Sequence, residues 1–154
     1  MRENIAINFF NMESFKKIDI LIAEDDDGHA ELILEALEET GIKNPIHRFK
    51  DGEEAWEFLS GTAKIEMETN GQGYLLLLDI NMPRMDGVEV LKRVKQNQTL
   101  KTVPVIMLTT TDDPREVDQC YKLGCNVYIN KPVDFDKFTD TLKKLGLFMQ
   151  IVKI

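Results

Sequence analysis

The chain alternates short, almost continuous apolar runs with amphipathic stretches, and this alternation limits its fold more than any other feature. Three runs have the character of strands buried on both faces: Ile18–Ala23, Leu75–Leu78 and Val103–Leu108. Weaker strand candidates are Ile46–Phe49 and Asn126–Ile129. Parallel strands need long crossover connections, which the amphipathic stretches can provide as helices. The sequence therefore predicts a (βα)5 α/β domain with a doubly wound parallel sheet.

Five helices are predicted between and after these strands. The first, third and fifth are predicted from apolar residues at helical spacing: Ala30, Ile33, Leu34 and Leu37, then Val90, Leu91 and Val94, then Phe135, Phe138, Leu142 and Leu145. Asp51 and the pair Asp113-Pro114 are typical helix starts and place the second and fourth helices. The fourteen residues from Ser60 to Gly73 show no apolar period, which predicts a surface insertion.

Composition and charge exclude several classes of protein. The chain has 154 residues, with 27 Asp and Glu against 19 Lys and Arg, a net charge of −8. This acidic balance disfavours nucleic acid and anionic membrane surfaces as partners. No apolar run approaches the roughly 20 residues of a membrane helix, and Cys120 and Cys125 are interpreted as free thiols in a reducing compartment. A cytoplasmic location is therefore expected.

The predicted domain organisation is one domain flanked by two short segments. Residues 1–16 are expected to be an N-terminal extension, residues 17–146 the domain, and residues 147–154 an apolar tail. Only 23 residues follow Lys131, so no separate output domain is expected.

Polar residues follow four of the predicted strands. Glu24 and Asp25 follow the first strand, Asp79 the third, Thr109 the fourth and Lys131 the fifth. Ligands of open parallel sheets bind at the carboxyl ends of the strands, so we expect these side chains to converge. Clustered carboxylates raise one another's pKa unless a cation is present, and Mg²⁺ prefers such oxygen ligands. The sequence therefore predicts a Mg²⁺ site at this edge.

The segments ILIAED, LLLLDINMPRMDG, PVIMLTT and YINKP, in this order, resemble the receiver domain of two-component response regulators. This resemblance implies a flavodoxin-like fold with strand order 2-1-3-4-5. It also implies that Asp79 is the phospho-acceptor and that Glu24, Asp25, Asp79 and the Asn81 main-chain carbonyl hold Mg²⁺. Glu24 stands where many receivers have Asp, and Thr110 where many have Ala or Gly.

The same resemblance assigns the remaining roles. Thr109 and Lys131 would bind the phosphoryl oxygens, and Thr109 and Tyr128 would act as switch residues. The long segment after the second helix, the run TLKTVPVIMLTTT and the absence of an effector domain resemble the single-domain regulators that serve phytochromes. The implied partner is a sensor histidine kinase, with a phytochrome as one candidate, or a phosphotransfer protein.

The expected function is that of a single-domain response regulator, a switch and not a metabolic enzyme. It would accept a phosphoryl group on Asp79 and signal through the surface of helix four, strand five and helix five. A homodimer through helix five and the apolar tail is expected, with a tail folded back on its own domain as the alternative.

Two rival functions remain open at this point. One is a Mg²⁺-dependent phosphatase with an Asp nucleophile, although Asn81 stands where its second acid would be. The other is a receiver-like binding module that is never phosphorylated. For single residues, simpler interpretations also exist: the acids after the first strand could only cap a helix, and His29 and His47 are expected to have surface roles.

Overall fold

A single parallel sheet of five strands organises the part of the chain that the computed structural model describes, residues 18–110, 113–131, 136–137, 139–141 and 143–144. The strands are β1 (Ile18–Ala23), β2 (Ile46–Phe49), β3 (Gly73–Asp79), β4 (Val105–Thr109) and β5 (Val127–Asn130). Their order across the sheet is β2-β1-β3-β4-β5, and every neighbouring pair is parallel. The predicted α/β class, the flavodoxin-like architecture and the strand order 2-1-3-4-5 are confirmed.

Helices cover both faces of this sheet. They are α1 (Asp27–Glu39), α2 (Gly52–Phe58), α3 (Lys64–Asn70), α4 (Gly87–Gln96) and α5 (Pro114–Leu123), with a 3₁₀ turn at Leu100–Thr102. The described residues between 136 and 144 are helical as well. The four apolar residues that predicted the fifth helix lie outside the described residues: Phe135, Phe138, Leu142 and Leu145.

Alternation along the strands gives two cores. On β3, Leu76 and Leu78 pack with α2, α4 and α5, whereas Leu75 and Leu77 pack with α1 on the opposite face. Strands with both faces buried leave their polar residues only at their ends. The polar side chains that could form a functional site therefore lie along the carboxyl edge of the sheet.

An aspartate begins each of the four helices that follow a strand's carboxyl end. Asp26, Asp51, Asp86 and Asp113 each accept a hydrogen bond from a backbone N–H of the first turn of α1, α2, α4 and α5, respectively. The predicted helix starts at Asp51 and Asp113 are confirmed. These caps fix where the chain turns from strand to helix, next to the polar edge.

The segment from Ser60 to Gly73 lies at the surface as predicted, with only Ala63 buried, but it is helical and not an irregular connection. The chain stays helical through a π-helical segment, Leu59–Ala63, into α3, which ends at Gly71 in the left-handed conformation (φ 67°). A π-helical segment shifts the helix face, and α3 buries none of its residues, so no regular apolar period could show in the sequence.

Two glycines allow the loop between β3 and α4 to pack closely against its neighbours. A Cβ at Gly87 would lie 2.1 Å from the Asp79 carbonyl oxygen, and one at Gly52 would lie 1.8 Å from the Met85 carbonyl oxygen. Both positions therefore require glycine. The loop is held between β3 and the start of α2, which fixes the residues after Asp79.

The ends of the chain lie outside the described residues, as do the predicted segments 1–16 and 147–154. Within the described residues, no helix is both long and apolar enough to cross a membrane.

Candidate functional site

Acidic residues from β1 and β3 meet at the carboxyl edge of the sheet. Glu24 and Asp79 are buried, with 1% and 7% of their surface exposed, whereas Asp25 is exposed. One carboxylate oxygen from each of the three lies within 4.8 Å of the others. The acids lie together as predicted. The parallel register pairs Ala23 with Leu78, so the next residues, Glu24 and Asp79, lie side by side.

The Lys131 ammonium group lies among these acids. Its Nζ atom is 2.5 Å from Glu24 Oε1 and 3.5 Å from Asp79 Oδ2, and only 6% of the residue is exposed. The Lys131 backbone N–H donates to the Thr109 carbonyl oxygen at 2.6 Å. A buried charge needs such partners, since an unpaired one costs on the order of several kcal/mol.

Burial and the neighbouring Glu24 raise the pKa of Asp79 from its usual 3.8 to about 7, and the Lys131 ammonium only partly opposes this. Desolvation is the largest cause, because a carboxylate loses hydration in the interior. Without a further cation, a substantial fraction of Asp79 is therefore protonated near neutral pH. Added positive charge at this position would favour the ionised form of Asp79.

The donor set fits a hard divalent cation. Glu24 Oε2 is buried and has no hydrogen-bond partner, although Oε1 of the same carboxylate contacts Lys131 and His29. An unpartnered carboxylate oxygen beside two further carboxylates is a ligand arrangement that Mg²⁺ accepts. Asn81, whose main-chain carbonyl is predicted to contribute, lies two residues beyond Asp79 with its side chain exposed.

The two predicted switch residues are neighbours. Thr109 is fully buried at the end of β4, and Tyr128 is half-buried on β5. A hydrogen bond joins their side chains, while burial and the Glu116 carboxylate raise the pKa of Tyr128 to about 12. The Tyr128 phenol therefore stays protonated at physiological pH. The Tyr128 backbone N–H donates to the Tyr121 hydroxyl at 3.2 Å.

His29 belongs to this site, in contrast to the surface role expected from the sequence. Its Nδ1 atom lies 3.0 Å from Glu24 Oε1 and 3.4 Å from Lys131 Nζ. It is the third residue of α1, whose N-terminus faces the carboxyl edge of the sheet. Its position in the first helical turn after the acids is the signal that could have placed it there.

Arg48 is a second contributor that the sequence analysis did not single out. From β2, its Nε and Nη2 atoms donate to the Glu24 carbonyl oxygen at 3.0 and 2.8 Å, and its Nη1 donates to Asp27 at 2.8 Å. Nη2 also lies 3.3 Å from the Asp25 carbonyl oxygen. Nothing in the sequence pattern distinguishes Arg48 from an ordinary edge-strand cation, so only the strand register reveals this contact.

A doubly wound sheet with buried acids, a threonine and a lysine at its carboxyl edge defines a receiver-type α/β domain. Residues 20–143 match the family described as the response regulator receiver domain. The chain belongs to this family of two-component signalling proteins.

Three relatives illustrate this similarity. The response regulator Rcp1 of Synechocystis is 38% identical over 112 residues, which cover 73% of this chain and 75% of Rcp1. A receiver domain from Rhodospirillum rubrum has a crystal structure with a TM-score of 0.80 and 44% identity, covering 86% of this chain and 94% of that one. The phosphorylated cyanobacterial phytochrome response regulator RcpA aligns with a TM-score of 0.74 and 29% identity, covering 88% and 95%. The resemblance to phytochrome-associated single-domain regulators is thereby confirmed.

We expect Asp79→Asn to stabilise the cation-free protein, and more so as the pH rises. The folded-state pKa of Asp79 is about 7 against 3.8 for the exposed group, so the folded wild type binds the extra proton. Wild-type stability should therefore fall between pH 4 and 7, by at most about 4 kcal/mol at roughly 1.4 kcal/mol per pKa unit, whereas Asn does not titrate. Because water entry and relaxation of the site reduce this difference in unfolding free energy, we expect a gain of roughly 1–3 kcal/mol at pH 8.

Urea unfolding in EDTA at pH 5.5 and pH 8 measures this difference. Asp118→Asn, which removes an exposed carboxylate on α5, is the matched control and should show no gain that grows with pH. An Asp79→Asn advantage that is equal at both pH values would contradict the raised pKa.

Proposed function

We propose that this chain is a single-domain response regulator that accepts a phosphoryl group on Asp79, with Mg²⁺ as its cofactor, from a sensor histidine kinase or a phosphotransfer protein. The observation that carries the proposal is the convergence of Asp79 with Glu24, Asp25 and the buried Lys131 ammonium. Membership of the receiver family supports it, because receivers are signalling domains and generally not enzymes.

The proposed reaction is a transfer from phosphohistidine to a carboxylate. An Asp79 oxygen attacks the phosphorus atom, a P–O bond forms, and the P–N bond to the donor imidazole breaks with its electron pair staying on nitrogen. The Lys131 ammonium lies 3.5 Å from Asp79 Oδ2, where it can neutralise charge on a phosphoryl oxygen. The buried Thr109 hydroxyl, at the end of the adjacent strand, is the proposed second phosphoryl contact.

Glu24, Asp25, Asp79 and the Asn81 main-chain carbonyl are the proposed Mg²⁺ ligands. A bound divalent cation would supply positive charge that favours ionised Asp79 and neutralises phosphoryl oxygens. Glu24 is already held on one side by Lys131 and His29, which leaves its second carboxylate oxygen for the cation. The Mn²⁺-bound form of Rcp1, a structure with a TM-score of 0.74 and 32% identity to this chain, is consistent with a divalent ion.

Signalling would follow because the phosphoryl group competes with Tyr128 for the Thr109 side chain and with Glu24 for the Lys131 ammonium. Thr109 contacts Tyr128, and the Lys131 backbone bonds to the Thr109 carbonyl. A phosphoryl group that engages both side chains would favour one arrangement of β4 and β5 over another. We propose that phosphorylation changes the surface formed by α5, β5 and the described helical residues between 136 and 144.

The rival functions receive less support. A hydrolase with an Asp nucleophile needs a general acid, and two residues after Asp79 the chain has the amide Asn81. A phosphorylation-silent module would have no use for the Lys131 and Asp79 contact. A phytochrome as the cognate kinase is proposed from the likeness to RcpA, and a cytoplasmic location stays a prediction.

The first prediction is that acetyl phosphate with Mg²⁺ adds one phosphoryl group to the wild type, measured by intact mass. Asp79→Asn should take up none, because an amide oxygen is a poor nucleophile. Asp51→Asn, which changes another buried aspartate, is the matched control and should label as wild type does. A phosphoryl group on the Asp79→Asn protein would contradict the assignment of the acceptor.

A second prediction separates chemistry from signalling. Thr109→Ala should still be phosphorylated, within about tenfold of the wild-type rate, but should lose the amide-exchange response on β5 and α5. Lys131→Ala should weaken both phosphorylation and the exchange response, because it removes the ammonium group that lies 3.5 Å from Asp79 Oδ2. A wild-type exchange response in phosphorylated Thr109→Ala would show that the hydroxyl does not transmit the signal.

The homodimer remains a proposal, because the apolar tail lies outside the described residues. We expect light scattering to give a dimer for the full chain and a monomer for a chain that ends at Gly146. Monomers in both cases, with and without phosphorylation, would exclude it.

A further inference from the structure

The acid loop after β1 (residues 24–27) is held from outside by one guanidinium group. Arg48 donates three hydrogen bonds shorter than 3.1 Å, two to the Glu24 carbonyl oxygen and one to the Asp27 carboxylate. A further contact of 3.3 Å reaches the Asp25 carbonyl oxygen. The Arg48 side chain is 20% exposed, so most of it is shielded from water.

Four acidic side chains in a row repel one another. Asp26 is occupied as the N-cap of α1, and Glu24 contacts Lys131 and His29, so each has a local partner. The main chain between Glu24 and Asp27 is held by Arg48 instead. A planar guanidinium can hold several acceptors at fixed angles, whereas a lysine ammonium acts as a point charge.

We propose that Arg48 is a positioning residue for the divalent cation site: it presets the main chain of Glu24 and Asp25 so that their carboxylates face Asp79. This inference rests on the proposed function, since it concerns the same Mg²⁺ site. Arg48 contacts main-chain oxygens and Asp27, and in the structure it contacts neither Asp79 nor Lys131. Its effect on the site is therefore indirect.

Two effects of Arg48 on a cation oppose each other. Its charge repels a cation nearby, whereas its hydrogen bonds reduce the ordering that cation binding would otherwise require. Two of its donated bonds go to the Glu24 carbonyl, and Asp27 offsets the charge at 2.8 Å. Positioning therefore outweighs repulsion, and removal of the guanidinium weakens cation binding.

Arg48→Lys is the discriminating variant because it keeps the charge and removes the fork of donors. Titration of the isotope-labelled full chain with Mg²⁺ alone, followed by NMR amide shifts, should give a dissociation constant about tenfold higher than wild type, the lower end of the range for outer-shell partners of metal ligands. Arg48→Ala should weaken binding at least as much. Arg93→Lys, which changes an arginine paired with Glu89 on α4, is the matched control and should bind as wild type does.

Asp27→Asn provides a second test if Arg48 variants lose the folded spectrum. It weakens the ion pair that holds the Arg48 guanidinium, so the dissociation constant for Mg²⁺ should rise about threefold. If Arg48→Lys keeps the folded spectrum, the effects in the double variant should not multiply, because both act through one contact.

The dependence of acetyl phosphate labelling on Mg²⁺ separates positioning from a merely structural role. Positioning raises the half-saturating Mg²⁺ concentration and leaves the rate at saturating Mg²⁺ within about twofold of wild type, since the reacting groups are unchanged. A structural role would lower the saturating rate instead and would overturn the proposal.

The remaining outcomes distinguish this inference from the proposed function. If Glu24→Gln abolishes Mg²⁺ binding but Arg48→Lys binds within twofold of wild type, the cation site stands and the role of Arg48 is refuted. Tighter binding by Arg48→Ala with unchanged Arg48→Lys would show that only charge repulsion matters. If the wild type shows no Mg²⁺-dependent shifts, both proposals fail.

Discussion

The contact between the Lys131 ammonium and Glu24 is the interaction on which the arrangement of the site depends. It joins the ends of β5 and β1, which are separated in the sheet by β3 and β4, and the same ammonium lies 3.5 Å from Asp79 Oδ2. Removal of Lys131 would leave the two buried acids Glu24 and Asp79 without the ammonium that contacts both, and uncompensated buried charge is strongly destabilising. The same pair therefore links the ends of β5 and β1 and contributes to the electrostatic environment of Asp79, the proposed acceptor.

The buried part of the site contains two carboxyl groups, Glu24 and Asp79, and one ammonium group, Lys131. Glu24 and Asp79 are buried together, and one lysine cannot satisfy both, so the pKa of Asp79 stays raised to about 7 and Glu24 Oε2 keeps no partner. A site that is perfectly satisfied would have no affinity for a further cation. The unfavourable state of the cation-free site is the physical source of its expected affinity for Mg²⁺, at the cost of some folding stability.

The sequence predicted the parallel sheet and the acids at its edge because parallel strands with two buried faces have one place for polar residues, their carboxyl ends. The strand order was implied by the resemblance to receiver domains. The sequence did not predict the continuous helix from α2 through the π-helical segment, since Gly61 and the polar residues around it mask the shifted face. It also missed His29 and Arg48. Both reach the site by tertiary geometry. The first turn of α1 directs His29 toward it, and the pairing of the adjacent strands β1 and β2 places Arg48 opposite Ile22.

The position of Lys131 also explains how chemistry at Asp79 can reach the protein surface. A phosphoryl group on Asp79 would compete with Glu24 for the one ammonium group that lies near both residues. The Lys131 backbone is bonded to the Thr109 carbonyl, and Thr109 contacts Tyr128, which is half-buried beside the exposed Tyr121. Two contacts, from Lys131 to Thr109 and from Thr109 to Tyr128, therefore connect the proposed phosphorylation site with β5. The charge balance that favours a cation and the contacts that lead to the surface depend on the same lysine.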